Sequence, residues 1–94
     1  MSYEVLDNPS EQRFELSAEG ATAFIAYHRE GGALSLDHTE VPPSLGGKGI
    51  GSALVKGALD QLKARGEKIL VRCSFVASYI DKHPEYQSLV LPRS

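Results

Sequence analysis

The chain has 94 residues, 41% of them hydrophobic and 23% charged, and its 10 Lys and Arg against 12 Asp and Glu leave a formal charge of −2. A chain of that size reads as one small, mildly acidic domain over residues 1–94, with a single core that any ligand site must share. Its longest aliphatic or aromatic run, Ala23 to Tyr27, is five residues, where a spanning helix needs about 20, so a transmembrane helix is excluded.

The opening MSYEVLDNPSEQ is polar and acidic, whereas a secretory signal is basic and then apolar, so a cytoplasmic protein is the expectation. A single cysteine, Cys73, excludes an internal disulfide and a multi-cysteine zinc site. Phosphate binding relies on clustered cations. The nearest approach to a cluster, Lys63, Arg65, Lys68 and Arg72, surrounds a helix end and is expected to be solvated, so no nucleic-acid partner is expected.

Residues 12–17 alternate, with Phe14 and Leu16 separated by Glu15, the period of a half-buried antiparallel strand. Residues 21–29 are apolar on both faces and predict a central strand, followed by a turn at Gly31-Gly32. Over residues 33–41 alternation returns. It places Leu34, Leu36, His38 and Glu40 on one face and Ser35, Asp37 and Thr39 on the other.

After Pro42-Pro43 the period lengthens to that of a helix. Ile50, Leu54, Val55, Ala58, Leu59 and Leu62 form one apolar stripe, predicting a helix from about Gly49 to Arg65. Lys63 and Arg65 suit its negative end, and Gly66 is placed for the left-handed position that closes it. Residues 68–73 contain Ile69-Leu70-Val71, expected as a strand covered on both faces and reached through a helical crossover, hence parallel to the strand before the helix. Ser74 is expected to cap a second helix running to about His83, with Val76, Tyr79, Ile80 and His83 on one side and Pro84 stopping it. The tail from Tyr86 to Leu91 reads as a short turn and strand. The order β-β-β-α-β-α, an antiparallel meander running into one βαβ crossover, predicts an α+β (mixed α/β) domain.

The segment with the most chemistry is VPPSLGGKGIGS, Val41 to Ser52, a strand end followed by Gly46, Gly47, Gly49 and Gly51 and then an amphipathic helix. The first amides of a helix lack internal partners and carry the positive end of its dipole, so such a turn can hold an anion by backbone alone. Glycines let a bulky diphosphate come close. Two familiar phosphate loops do not fit: Lys48 is followed by Gly49 rather than Ser or Thr, and a dinucleotide fingerprint anchored on Gly47 and Gly49 meets Ser52 at its third glycine.

Gly49-Ile50-Gly51, preceded by residues 46–48, resembles the acetyl-CoA loop of GNAT-type N-acetyltransferases, R/Q-x-x-G-x-G/A, with Gly46 standing where that family has Arg or Gln and Lys48 offering a nearby positive charge. The resemblance continues through the strings HTEVPPSLGGKGIGSALV, VRCSFV and HPEY. They are similar to a compact, GNAT-like branch that lacks the helices most relatives insert after the first strand. It implies acetyl-CoA as cosubstrate, held by Val41, Gly46, Gly47, Lys48, Gly49, Ile50, Gly51 and Ser52, with its pantetheine along splayed strand ends that include Cys73.

The implied reaction moves an acetyl group from the coenzyme thioester to an amine, and it needs a proton acceptor, a stabilised oxyanion and a protonated leaving thiolate. His38 is the candidate base, or else a structural imidazole; Glu40 beside it reads as a partner or as plain surface. Cys73 is either a small buried apolar residue or, as the resemblance implies, an acyl carrier or thioester contact. Tyr79 is either packing or the proton donor to the coenzyme sulfur, and His83 and Tyr86 are expected to fix the C-terminal turn. No metal is expected. The acceptor amine stays open among protein lysines, N-termini and polyamines, and a non-catalytic acyl-CoA or nucleotide-binding module is the alternative.

Overall fold

The structure is a computed structural model and describes residues 3–91. Five strands lie side by side in chain order: β1 (Leu6–Asn8), β2 (Arg13–Ala18), β3 (Ala21–Glu30), β4 (Ala33–Glu40) and β5 (Lys68–Val71). The first four are antiparallel, and β5 joins β4 in parallel after helix α1 (Ile50–Ala64). Helix α2 (Ser74–Lys82) follows β5. The fold is thus mixed α+β, with the antiparallel meander, βαβ crossover and central β3 that alternation and punctuation predict.

Local chemistry explains the turns. Glu19 and Gly20 both have positive φ, 52° and 77°, as the two-residue hairpin between β2 and β3 demands. At the far end of α1, Gly66 takes φ 71° just past the C-cap residue Arg65.

All six residues of the helical stripe are buried. They pack on Phe14 and Leu16 of β2, Ile25 of β3, Leu36 of β4 and Ile69 of β5, each fully buried. Truncating any of the fully buried leucines to alanine is a loss of about 2–5 kcal/mol by the usual cavity and transfer terms. The opposite face of the sheet is left to solvent, so Phe24 and Ala26 are half-buried and His38 and Glu40 exposed.

Five expectations are corrected. Strand β1 was not foreseen: three residues are too few to show alternation, and what holds them is pairing with β2 plus a hydrogen bond from Gln61 Nε2 to the Val5 carbonyl, 2.6 Å. Strand β5 ends at Val71, not Cys73; Leu70 is only half-buried because it points to the bare sheet face, while Val71 packs half-buried against the core. Ser74 is the first residue of α2, not its cap; Cys73 holds the N-cap position and no side chain caps it. The tail forms a 3-10 helix, Pro84–Leu89, and among the described residues only Val90 bridges to Ile69.

The fifth correction concerns β4. Tyr27 pairs with Leu36 and Ala26 with His38, so Asp37 is an extra, bulged residue. Alternation therefore changes phase. Thr39 pairs with Ile25 on the helix-covered face, while His38 and Glu40 pair with Ala26 and Phe24 on the bare one, the reverse of a continuous period of two.

The core makes one sharp demand on a glycine. A Cβ at Gly57, in the middle of α1, would lie 2.4 Å from Val5 Cγ2 and 2.7 Å from Val5 Cβ. Gly57→Ala is expected to lower the melting temperature, because ~1–3 kcal/mol of overpacking outweighs the ~1 kcal/mol gain in helix propensity. Thermal denaturation of Gly57→Ala alone and combined with Val5→Ala checks this, the pair recovering part of the loss.

Candidate functional site

The sheet opens between its two parallel strands. Pairing of β4 with β5 runs from Ala33 opposite Lys68 to Leu36 opposite Val71, and the last rung is the Arg72 amide donating to the Leu36 carbonyl at 3.0 Å. Strand β4 then continues along β3 to Glu40, while the other chain turns away at Cys73 into α2. Across the opening, Thr39 Oγ1 lies 3.1 Å from Cys73 Sγ, and the thiol is buried. Thr39 reaches this position only because of the bulge at Asp37.

Above the opening sits the glycine loop. Pro43–Leu45 forms a 3-10 turn whose Leu45 plugs into the core at 1% exposure, and the amides of Leu45 and Gly46 donate to the carbonyls of Pro42 and Pro43. Gly47 (φ 77°) and Gly49 (φ 72°) then carry the chain through left-handed geometry into α1, where Ala53 makes the first intrahelical bond, to Gly49. Between these points the six amides of residues 47–52 find neither a backbone nor a side-chain acceptor among the described residues. They are donors available to an external anion.

The individual loop residues divide. The Gly46 amide is already engaged by Pro43, and a Cβ there would press to 3.2 Å on the same carbonyl. A Cβ at Gly47 or Gly49 would meet nothing within 4 Å, so backbone conformation and access, not packing, call for glycine there. Lys48 does not stand free: its Nζ lies 2.6 and 2.7 Å from the two Glu19 carboxylate oxygens, pinning the loop to the β2–β3 turn. The Ile50 side chain is buried in the core, Val41 packs half-buried against it, and Ser52 is exposed.

Helix α2 supplies the outer wall. The Phe75 ring lies over Gly51, where an added Cβ would come within 2.6 Å of its Cζ, yet the side chain remains 41% exposed. Ser52, Phe75, Ser78, Tyr79, Lys82 and His83 line a cavity of about 170 Å³ between the two helices. Tyr79 stacks on His83 at 4.0 Å between ring centroids, and His83 Nδ1 donates to the Tyr79 carbonyl at 2.9 Å. Burial pushes the Tyr79 phenol up from its ordinary value, with Lys56 opposing and Asp60 adding to the shift, so it stays protonated at neutral pH. Tyr86, the other aromatic of the C-terminal turn, donates to Asp60 at 2.5 Å.

The structure thus brings Cys73 together with Thr39, and the unsatisfied amides together with Phe75 and Tyr79. It separates from them His38 and Glu40, which face each other at 3.2 Å on the bare face with side chains 63% and 60% exposed. Thr39 and Phe75 carry no signal of their own in the sequence: a bulge decides the first, and an approach of two helices the second. The four basic residues near the end of α1 are dispersed: Arg65 pairs with Asp7 and Arg72 with Glu30, while Lys68 donates to the Ser88 carbonyl. Among the described residues no group of three or more His, Cys, Asp or Glu is placed to hold a metal, and no helix is long and apolar enough to cross a membrane.

Comparison with known proteins agrees with this geometry. A family model described as GCN5-related N-acetyl-transferase matches residues 13–89. Proteins named NATD1 from Gallus gallus and Mus musculus are each 36% identical over 56 residues, 60% of this chain and 51% of theirs; the chain spans about half the length of these curated relatives. A GCN5-like protein of Staphylococcus aureus, solved in solution by NMR, superposes with a TM-score of 0.70 at 29% identity, covering 97% of this chain and 90% of that one.

The loop's conformation sets a measurable expectation. Gly47→Ala and Gly49→Ala create no clash but force an L-residue to positive φ, so each is expected to destabilise by roughly 1–2 kcal/mol in denaturant unfolding. Gly51→Ala, with ordinary φ, needs only the free end of the Phe75 ring to swing aside, and is expected to cost less than either.

Proposed function

The chain belongs to the GCN5-related N-acetyltransferase family, and from that premise we propose that it transfers an acetyl group from acetyl-CoA to an amine. The observation that carries the reading is the row of six unsatisfied amides at residues 47–52, standing at the mouth of a sheet that parts between β4 and β5. A coenzyme pyrophosphate fits there on two counts: the donors have no acceptor among the described residues, and a Cβ on Gly47 or Gly49 would meet nothing within 4 Å. Bound so, the coenzyme supplies an activated thioester.

The chain's own residues do the rest. The edge of β4 beyond Leu36, which β5 no longer covers, offers main-chain groups to an extended ligand arm. Thr39 and Cys73 line the inner end of the opening. His38, on the bare face at the same strand end with Glu40 at 3.2 Å, takes the proton of an incoming ammonium. Cys73 is a lining thiol in this reading and the amine attacks directly. Tyr79, whose hydroxyl keeps its proton, belongs to the wall beside Ser52. The exposure of His38, on the face away from Cys73, favours one second reading: an acyl-CoA-binding module without chemistry.

Thermal unfolding with and without acetyl-CoA is the first test. Coenzyme at a hundred times its Kd adds ~2.7 kcal/mol, a rise of roughly ten degrees or more for a domain of this size; no rise overturns coenzyme binding. Thiol release with a panel of amines then separates enzyme from binder. Turnover is expected to fall about 100-fold in His38→Ala and less than about ten-fold in Cys73→Ala, since direct attack needs no acyl-cysteine. A thermal shift without thiol release for any amine establishes the binding module.

A further inference from the structure

The bare face of the sheet carries a closed ring of five side chains beside the last β4–β5 rung before the opening. His28 Nδ1 donates to Asp37 Oδ2 at 2.6 Å, and Asp37 Oδ1 accepts from Ser35 Oγ at 2.6 Å. Arg72 Nη1 donates to Ser35 Oγ at 2.9 Å, and the Arg72 guanidinium clasps both oxygens of Glu30 at 2.7 and 2.9 Å. Glu30 Oε1 closes the circuit by accepting from His28 Nε2 at 3.1 Å. The arrangement is no nucleophilic triad, because Ser35 is fully buried and its hydroxyl addresses the carboxylate rather than the imidazole.

The ring's members sit where the fold is decided. Asp37 is the bulged residue that turns Thr39 towards Cys73, Arg72 makes the last rung between the parting strands and precedes Cys73, and His28 and Glu30 belong to β3, which backs them both. Both nitrogens of His28 face carboxylates, which only accept, so only the imidazolium satisfies both contacts at once.

We propose that this ring is the positioning device of the site: it anchors the bulge at Asp37 and the strand end at Arg72, holds Thr39 against Cys73, and loosens when His28 loses its proton. As far as coenzyme is concerned, the inference rests on the function proposed above. The charged groups facing His28 are Asp37 on β4 and Glu30 on its own strand, with Arg72 reaching it through Glu30. Hydrogen bonds to Asp37, then Glu30, raise the His28 pKa above its ordinary 6.5. The imidazolium's contribution is therefore complete below that value and is lost as pH rises through the raised one. Glu30, held down to about 2 from 4.5 chiefly by Arg72, contributes fully above 4.5 and fails only as pH falls towards 2. The alkaline limb belongs to His28.

The test follows the backbone amide resonances of Thr39 and Cys73 by NMR on the full chain, from about pH 5.5 to about pH 8.5, in a His38→Gln background that removes the adjacent imidazole. Both amides are expected to shift with the midpoint of the His28 ring resonances, and the movement is expected to vanish when His28→Gln is added. With His38 restored, His28→Gln and Asp37→Asn are each expected to weaken acetyl-CoA binding about five-fold near pH 6. The ratio of wild-type to His28→Gln affinity, which cancels the coenzyme's own ionisation, should fall towards one as pH rises through the midpoint of the His28 ring resonances. Arg29→Gln, which breaks an ion pair with Glu67 outside the ring, should leave affinity unchanged. Amides that stay still while His28 titrates, or variants that bind like wild type near pH 6, overturn the proposal. Failure of the wild-type chain to bind coenzyme overturns the functional reading alone, and the two amides then decide the ring by themselves.

Discussion

Where β4 and β5 part, after the Arg72 amide reaches the Leu36 carbonyl, the sheet stops consuming its own hydrogen-bonding groups. Everything offered to a ligand depends on that. Had the pairing continued to Glu40, the edge of β4 would be closed and its main-chain groups spent within the sheet. The bulge at Asp37 and the departure of the chain at Cys73 occur on either side of the same point, one on each strand.

The helix between the two strands is positioned by its apolar stripe, which seats on Phe14, Leu16, Ile25, Leu36 and Ile69. Because the connection joins parallel strands, the start of α1 must lie near the carboxyl end of β4 and its finish near the beginning of β5. The same burial that stabilises the fold therefore delivers the amides of residues 47–52 to the mouth of the opening. Coupling a core to a site in this way suits a small chain, which has one core to use for both purposes.

The other face of the sheet shows a different solution to its exposure. In place of a covering helix it carries paired charges, Arg13 with Glu15 and the circuit of His28, Asp37, Ser35, Arg72 and Glu30. Exposed pairs of this kind are worth little individually. Their consequence is geometric: the buried Ser35 hydroxyl is satisfied, and the bulge and the strand end are tied to one another.

Residue patterns alone determined most of the architecture. The spacing of Ile50, Leu54, Val55, Ala58, Leu59 and Leu62 marked α1 nearly to its ends, Gly66 marked its stop, and the helix between two apolar strands implied a parallel pair, because each rests on local periodicity or on backbone stereochemistry. The loop from Gly46 to Ser52 was legible for the same reason, since glycines before an amphipathic run leave amides without partners. Tertiary structure alone decided which loop groups are already engaged: Gly46 gives its amide to Pro43 and Lys48 gives its charge to Glu19, neither of which spacing reveals. It also decided which side chains of β4 face the thiol. A period of two carries no mark of the single bulged residue that reverses it, because that residue is set by pairing with a neighbouring strand and by the side chains that hold it there.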